Sequence, residues 1–467
     1  MATTDVLAEI PVIRAGRSVR SASTSVLTGV DGTPLATVHQ APPLLGRLTV
    51  ANARDAATDD VPDAAVLRRA GELFATAELH GLSPDEYCEV QARAAGVPIS
   101  VARHSLDDLA HNFANAGPRA AAERPAGVAA DADTCLSGEV SALWTRRGDV
   151  LAVVAPSNNP GTHTQWLVAL ACGYRLVIRP GSRDPLTPMR MVAALLEAGV
   201  APSALSVLPG GHDLGDALVD AADLSMVFGG DQAARRYAHD RRVILRGPGR
   251  SKLLHSGELT ASALDTIHAS VTHDAGLRCT NATAVFTDSD PRELAEALAD
   301  RMAPLTAAPP QSDQAQLPVL PSAEAYAMRD SLASRMAGAE DVAAARYPGG
   351  PVAELGDGSA ALRPAVLLCD RVDHPGSRIE MPFPCVWVLP WRRSDGLAPL
   401  GETLALTILA DDPALVGEAL RRPAIRKVLA GPIPTWTAGD TSPHDGFLSH
   451  ELMEARAYGT TPAIQPN

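Results

Sequence analysis

The chain has 467 residues, 46% hydrophobic and 20% charged, with 40 Lys and Arg against 54 Asp and Glu and a formal charge of −14. That balance carries a packed core and excludes global disorder, and the length exceeds a single ordinary domain of ~100–200 residues. The acidic excess, the absence of any run of five basic residues and a 4% aromatic content argue against a nucleic-acid or acidic-membrane surface.

The opening MATTDVLAEIPVIRAGRSVRS lacks the continuous apolar stretch of a secretory signal. No segment approaches the ~18 apolar residues of a membrane span. A soluble, cytoplasmic enzyme is therefore expected. Residues 1–60 are rich in Thr, Ala and Pro, and short strands and loops are expected there. From residue 62 to about 109 apolar residues recur every three or four positions, which predicts helices. Ser83, followed by Pro84 and Asp85 and with Glu86 in capping-box position, reads as a helix start. Residues 117–134, rich in Gly, Pro and Ala, read as a loop.

The middle of the chain alternates. Strands are predicted at 150–155, 176–179, 205–208, 226–228 and 243–245. Helices are predicted between them at 164–172, 187–198, 214–222 and 232–239. This order means parallel βαβ units and a doubly wound sheet, whose ligands bind at the carboxyl ends of the strands. A second α/β stretch follows, with a helix at 264–275, a strand at 282–287 and a helix at 291–302. The Pro- and Gln-rich residues 308–321 read as an exposed loop. A helix at 323–336, strands near 366–369, 386–389 and 404–409 and a helix at 413–421 complete the pattern, ahead of a short strand and a tail.

Three clusters carry candidate chemistry. In VVAPSNNPG (153–161) a strand ends in a turn that presents Ser157, Asn158 and Asn159, and a side-chain amide at a strand end can donate to an oxyanion. An ordinary Asn/Pro/Gly turn would look the same. In RPGSRDPLTP (179–188) Arg179 and Arg183 flank Ser182, and two guanidinium groups with a hydroxyl could grip a phosphate, although a solvated loop is the commoner case. In DAGLRCTNATAVF (274–286) Cys279 lies between a predicted helix and a predicted strand, where a thiolate could serve as nucleophile. The competing reading is a buried structural cysteine. The other five cysteines (Cys88, Cys135, Cys172, Cys369, Cys385) are widely spaced, with no CxxC or Cys/His metal spacing, so neither a metal site nor a disulfide scaffold is expected.

Taken in order, PSNNP, GYRLVIRPGSRDPLTP, EAGVAPSALSVLPGG, VFGGDQA, ILRGPGRSK, GLRCTNATAVF and RIEMPFP resemble the aldehyde dehydrogenase superfamily over roughly residues 136–450. The resemblance implies an α/β fold with two Rossmann-like α/β domains and a small oligomerisation arm. It implies that residues 1–135 and 148–250 form the NAD(P)-binding domain, that 136–147 and 456–467 form the arm, and that 251–455 form the catalytic domain. Cys279 matches the catalytic thiol, and Asn158 the oxyanion-stabilising Asn, acting with the Cys279 backbone NH. Pro156 opens the turn that carries Asn158. Arg179 falls where a Lys usually contacts the adenine-side ribose. Ser182 falls where NAD-preferring members often carry a Glu. Phe228, Gly229 and Gly230 match the turn that approaches the pyrophosphate and nicotinamide, with Asp231 in place of the usual Ser. Glu380 resembles the Glu that holds the nicotinamide ribose, although the FGP that normally follows is altered.

The departures decide the expected branch. The family's LELGG carries the water-activating Glu; here the stretch is Leu245-Arg246-Gly247-Pro248-Gly249, and Arg246 stands at the Glu position. An arginine stays protonated and cannot act as a base. Loss of that base fits the members that exchange acyl groups with a thiol. Similar chains include the fatty-acyl reductase of bacterial luminescence and the aryl carboxylic acid reductases of pigment biosynthesis, whose aldehyde dehydrogenase-like subunit pairs with an adenylate-forming ligase. The resemblance thus implies NAD(P)H-dependent reduction of an activated acyl group to an aldehyde through acyl-Cys279, with such a ligase as an expected partner. A hydrolytic aldehyde dehydrogenase and a non-catalytic scaffold are the alternatives. Ser182 between Arg179 and Arg183 favours NADP over NAD. The stretch 136–147 is expected to form arm strands and 443–459 to close the substrate entrance, with a homo-oligomer implied. His444 and Asp445 in that closing segment are candidates for orienting substrate or moving a proton, or else simply open a helix.

Overall fold

A computed structural model describes residues 7–58, 60–137, 141–157, 159–440 and 442–459. Two seven-stranded sheets dominate it. Strands of the first are β1 (Val12–Arg14), β2 (Arg17–Val19), β3 (Val150–Val154), β4 (Arg175–Arg179), β5 (Leu205–Val207), β6 (Leu224–Phe228) and β7 (Val243–Arg246), in the spatial order β7-β6-β3-β4-β5-β1-β2. The five strands from β7 to β5 run parallel, and the β1–β2 hairpin closes the edge antiparallel to β5. Sequences such as VLAVV and RLVIR are continuously apolar or buried because helices cover both faces. One face packs on a large cluster that includes Phe74, Tyr87, Phe113, Trp166 and Tyr174. The other packs on a smaller one built from Val50, Leu214 and Leu218.

The second sheet contains β8 (Ser251–His255), β9 (Ala282–Thr287), β10 (Ala339–Asp341), β11 (Ala365–Cys369), β12 (Cys385–Pro390), β13 (Thr403–Leu409) and β14 (Ile425–Ala430). Its order is β10-β11-β12-β9-β8-β13-β14, parallel throughout except for the edge strand β10. Separate clusters cover its two faces, one holding Trp387 and Trp391 and the other Ile267, Leu298 and Met302. A two-stranded ribbon pairs Ala142–Arg146 with Met453–Ala457, so the C-terminal segment returns to the arm of its own chain. Of the expected arm, residues 138–140 and 460–467 lie outside the described residues. Among the described residues, no helix is long and apolar enough to cross a membrane.

Local signals explain most boundaries. Ser83 accepts from the Glu86 N–H and Glu86 returns a bond to the Ser83 N–H, which is worth ~1 kcal/mol at that helix start. Three expectations need correction. Residues 43–55 form a helix (Pro43–Asp55) rather than strands and loops, because its Val50 and Ala53 pack against the first sheet. The helix Ile99–Ala122 runs into the first third of the expected loop at 117–134, with Pro118 inside its last turns, because tertiary packing of Phe113 and Ala116 overrides local propensity. The stretch 308–321 is not an exposed loop throughout: Leu317 and Val319 are fully buried, and the Val319 N–H donates to the Gly96 carbonyl at 2.7 Å. The strand β8 was not anticipated: its SKLLH sequence carries a Lys at a buried position.

Candidate active site

The first sheet switches direction at β3, with β4 and β5 on one side and β6 and β7 on the other. Loops leaving β3 and β6 therefore diverge at its carboxyl edge and open a crevice, the place where such sheets bind nucleotides. The loop after β3 is backed by the loop after β4. The Ser157 Oγ accepts from the Arg183 N–H at 3.2 Å, and a Cβ at Gly181 would lie 2.3 Å from the Pro156 carbonyl oxygen. Ser182 is exposed on this rim. Arg179 is buried and donates through Nε to the Gly210 carbonyl at 3.0 Å. Arg183 reaches across the rim to Glu324 on the helix Ser322–Ala333. On the other side of the crevice the Phe228–Gly229–Gly230 turn is tied back by the Gly229 N–H, which donates to the Arg246 carbonyl at 3.1 Å. Asp231 pairs with Arg250. This glycine turn, the carboxylate-free Ser182 and the open strand ends fit a dinucleotide.

The thiol comes from the other sheet and from its opposite edge. Cys279 lies three residues before the first residue of β9, so it sits at the amino ends of the second sheet. Gly249, just before β8, packs directly on it: a Cβ there would lie 1.8 Å from the Cys279 carbonyl oxygen, so only glycine fits. The Ser251 Oγ donates to that same carbonyl at 3.1 Å. The short link from Arg246 to Gly249 thus carries the chain from the carboxyl edge of one sheet to the amino edge of the other, with Cys279 beside it.

The loop that presents Cys279 is held in an unusual backbone. Asp274, Ala275 and Gly276 all have left-handed φ values of 47°, 58° and 75°. Two of them are not glycine, which costs on the order of 1 kcal/mol each. The Asn281 side chain offsets this. It accepts from the Arg278 N–H at 2.7 Å and donates to the carbonyls of Ser270 and His273 at 3.1 and 3.0 Å. Arg278 pairs with Asp274 and Asp108. Burial would raise the Asp274 carboxyl, but the His104 hydrogen bond and the Arg278 charge outweigh it and hold it below the usual range. His104, His273 and Asp274 bring their ligand atoms within 4.8 Å of one another. Arg278 already supplies the positive charge there.

Cys279 differs from the other cysteines. It is half-buried, whereas the remaining five are buried. Burial pushes the thiols of Cys88, Cys172 and Cys369 up to about 11, 12 and 12 and raises that of Cys385 further. The Cys279 backbone N–H makes no backbone hydrogen bond among the described residues. Asn158 lies outside the described residues. Its neighbour Asn159 is buried, accepts from the Gly161 N–H at 2.7 Å, and leaves Nδ2 without a partner among the described residues.

Arg246 holds the C-terminal segment, which reaches the thiol through His444. Arg246 is buried at the end of β7 and donates to the Gln165 side chain, to Asp445 at 3.0 Å and to Glu451. Next to Asp445, the His444 Nε2 lies 3.6 Å from the Cys279 Sγ, and its Nδ1 lies 3.6 Å from the Asp445 carboxylate. Burial acts to lower the His444 pKa, but Cys279 and Asp445 outweigh it and raise it to about 9. Glu380 accepts from the Arg250 N–H at 2.8 Å, and burial pushes its carboxyl up to about 7 against that bond. Lys252 is fully buried and donates to the Arg250 and Glu402 carbonyls at 2.7 and 2.9 Å, with its pKa lowered by burial to about 7.

The structure therefore brings Cys279, Arg246, His444 and Asp445 together, with Glu380 beside the Gly249–Arg250 backbone. It places Arg179, Ser182 and Arg183 on the far rim of the first sheet. Sequence reasoning did not find Glu451, Gln165, Gly249 or Asn281. Gly249 had a readable signal in the run RGPGR and Asn281 bonds locally, to residues 270–278, whereas Gln165 and Glu451 act through long-range contacts.

The model of the aldehyde dehydrogenase family matches residues 17–392. Malonate-semialdehyde dehydrogenase 1 of Geobacillus kaustophilus (strain HTA426) is 27% identical over 146 residues, covering 29% of this chain and 30% of that protein. Malonate-semialdehyde dehydrogenase 2 of Bacillus mycoides (strain KBAB4) is 28% identical over 176 residues, covering 36% of each. The chain thus aligns with about a third of the length of these curated relatives. Among solved structures, an indole-3-acetaldehyde dehydrogenase complexed with NAD+ and the aldehyde dehydrogenase KauB from Pseudomonas aeruginosa each superpose with a TM-score of 0.80 at 19% identity, over 97% of both chains.

Proposed function

The chain belongs to the aldehyde dehydrogenase family, and from that premise we infer that it interconverts an activated acyl group and an aldehyde through an acyl-Cys279 thioester, running as an NAD(P)H-dependent acyl reductase. The observation that carries this reading is Arg246. It stands where the family's water-activating Glu stands, is buried, and is committed to Asp445 and Glu451. A guanidinium cannot take a proton from water, so the acyl-enzyme is spared hydrolysis and is left for a thiol or for reduction.

The thiol of Cys279 attacks the carbonyl of an acyl thioester or acyl adenylate and expels the carrier. The Cys279 N–H and Asn158 are the proposed donors to the oxyanion. A bound nicotinamide supplies the hydride. Collapse of the resulting thiohemiacetal frees the aldehyde and the Cys279 sulfur. Phe228, Gly229, Gly230, Pro156 and Glu380 are proposed to hold the nucleotide. Ser182, Arg179 and Arg183 are proposed to favour NADP(H), since the rim position lacks a carboxylate to repel a 2′-phosphate. An adenylate-forming ligase is the proposed supplier of the activated acid, and a homo-oligomer the proposed assembly, with the 142–146 and 453–457 ribbon as its arm.

Incubation with a panel of acyl-CoA donors, followed by intact-mass measurement, tests the reading. Acyl mass on the native protein and none on C279A, with NADPH consumed and aldehyde formed, is expected. Acid formed from aldehyde and NAD(P)+ without added thiol would overturn it in favour of a hydrolytic dehydrogenase. Absence of both label and nucleotide binding would favour the scaffold.

A further inference from the structure

We propose that His444 is a catalytic residue, paired with Cys279 as thiolate and imidazolium, and that Asp445 and Arg246 are the positioning residues that hold it there. This deepens the acyl-transfer reading and rests on it for the reaction, but the pair itself can be tested without a substrate.

Geometry carries the proposal. The segment from Pro443 to Ala457 leaves the second sheet, crosses the Cys279 loop and ends in the ribbon with Ala142–Arg146. It is fastened immediately beyond His444 and again at its next turn. Arg246 grips both Asp445, next to His444, and Glu451, six residues further on. The Ser449 N–H donates to the Glu123 carboxylate at 2.8 Å, and the His450 ring contacts the Glu123 carbonyl at 2.7 Å. His444 consequently presents Nε2 to the Cys279 Sγ at 3.6 Å, within the reach of a sulfur hydrogen bond, while Nδ1 faces Asp445. Nucleophile, imidazole and orienting carboxylate form the series that activates thiols elsewhere. The charged groups around the pair are Asp445 on the same segment, Arg246 from β7, and Lys427 from β14, whose ammonium feels the Cys279 sulfur. Asp445 favours the imidazolium, and Arg246 holds Asp445 in place.

The assignment gives the substitution at Arg246 a positive role. The position that in the family holds a base holds here a clamp for a different acid–base residue. In the reductive direction the Cys279 sulfur, already ionised, forms a C–S bond to the acyl carbon. The bond to the carrier then breaks with its electron pair, and the His444 Nε2 proton goes to the departing thiolate. After hydride transfer the C–S bond breaks, the aldehyde leaves, the acyl carbon has gained two electrons, and the nicotinamide has lost them. One proton from solvent recharges His444. In the reverse direction His444 takes the proton of the incoming thiol.

Alkylation of the native protein by iodoacetamide across pH 5–10, read by intact mass, tests the pair. The other five cysteines are buried, so labelling beyond one equivalent reports unfolding and is scored separately. The rate midpoint should lie at 7.5 or below, against about 8.5 for a free thiol. At pH 6.5, H444Q should react at least about tenfold more slowly than the native protein, with its midpoint moved to the free-thiol range. D445N and R246Q should shift the midpoint part of the way, and R246K should restore most of the R246Q loss. C279A provides the blank. An H444Q midpoint equal to the native one overturns the proposal even if acyl-CoA is reduced. A shifted midpoint with no acylation by any donor upholds the pair and sinks the acyl-transfer reading instead.

Discussion

Two arginines stand at the carboxyl edge of the same sheet and have opposite standing. Arg183, after β4, makes one ion pair with Glu324 across an exposed rim, with side chains 32% and 52% exposed. Arg246, ending β7, is 8% exposed and holds two carboxylates and an amide. A surface pair of the first kind is worth ~0–1 kcal/mol and is easily exchanged for another anion. A buried cation of the second kind cannot be released without stranding its partners. The ion pair at the β4 rim is thus exchangeable, while the arginine at the β7 rim is committed to Asp445 and Glu451.

The largest expected effect separates the chemistry of one rim from the binding of the other. Cys279→Ala should lower acyl reduction by at least roughly a thousandfold while the NADPH dissociation constant, measured by fluorescence titration, stays within about twofold. Equal losses of both would erase the distinction. Arg246→Gln should cost about 2 kcal/mol in denaturant unfolding, because Asp445 loses its cation in a mostly buried setting while Glu451, half exposed, recovers water. A change below about 0.5 kcal/mol would place Arg246 in the same class as Arg183.

The pH dependence follows from His444. Its pKa is raised from 6.5 to about 9 in the folded chain, so folding binds a proton more tightly there. Its contribution is complete below about pH 6.5 and is lost as pH rises through about 9. Between pH 7 and 9.5 the native protein should lose more stability than His444→Gln; parallel melting curves would refute the assignment. The smallest effect belongs to the other rim. Arg183→Ala should leave stability within about 0.5 kcal/mol and raise the KM for NADPH about fivefold relative to that for NADH. An unchanged ratio would mean that Arg183 belongs to Glu324 alone.

Much of this was legible in residue order. The alternation of apolar runs and helical periods located β3 to β7 and β9 within a residue or two, because strands buried on both faces must be continuously apolar. Cys279 stood out by its motif, and Arg246 by what it replaces. The strand β8 was not legible, since SKLLH buries a lysine that the carbonyls of Arg250 and Glu402 and the Thr403 hydroxyl satisfy. The helix end through Pro118 and the buried Leu317 and Val319 were likewise set by what packs on them.

By itself the sequence determined the family and the alternating α/β pattern and singled out Cys279 as the candidate thiol, because periodicity and short motifs are local properties. It offered His444 and Asp445 with two readings and could not choose between them. Only the tertiary structure carries a segment 165 residues beyond Cys279 back to the thiol and fastens it with Arg246. An arginine's partners depend on which carboxylates the fold delivers to it, and no spacing along the chain encodes that.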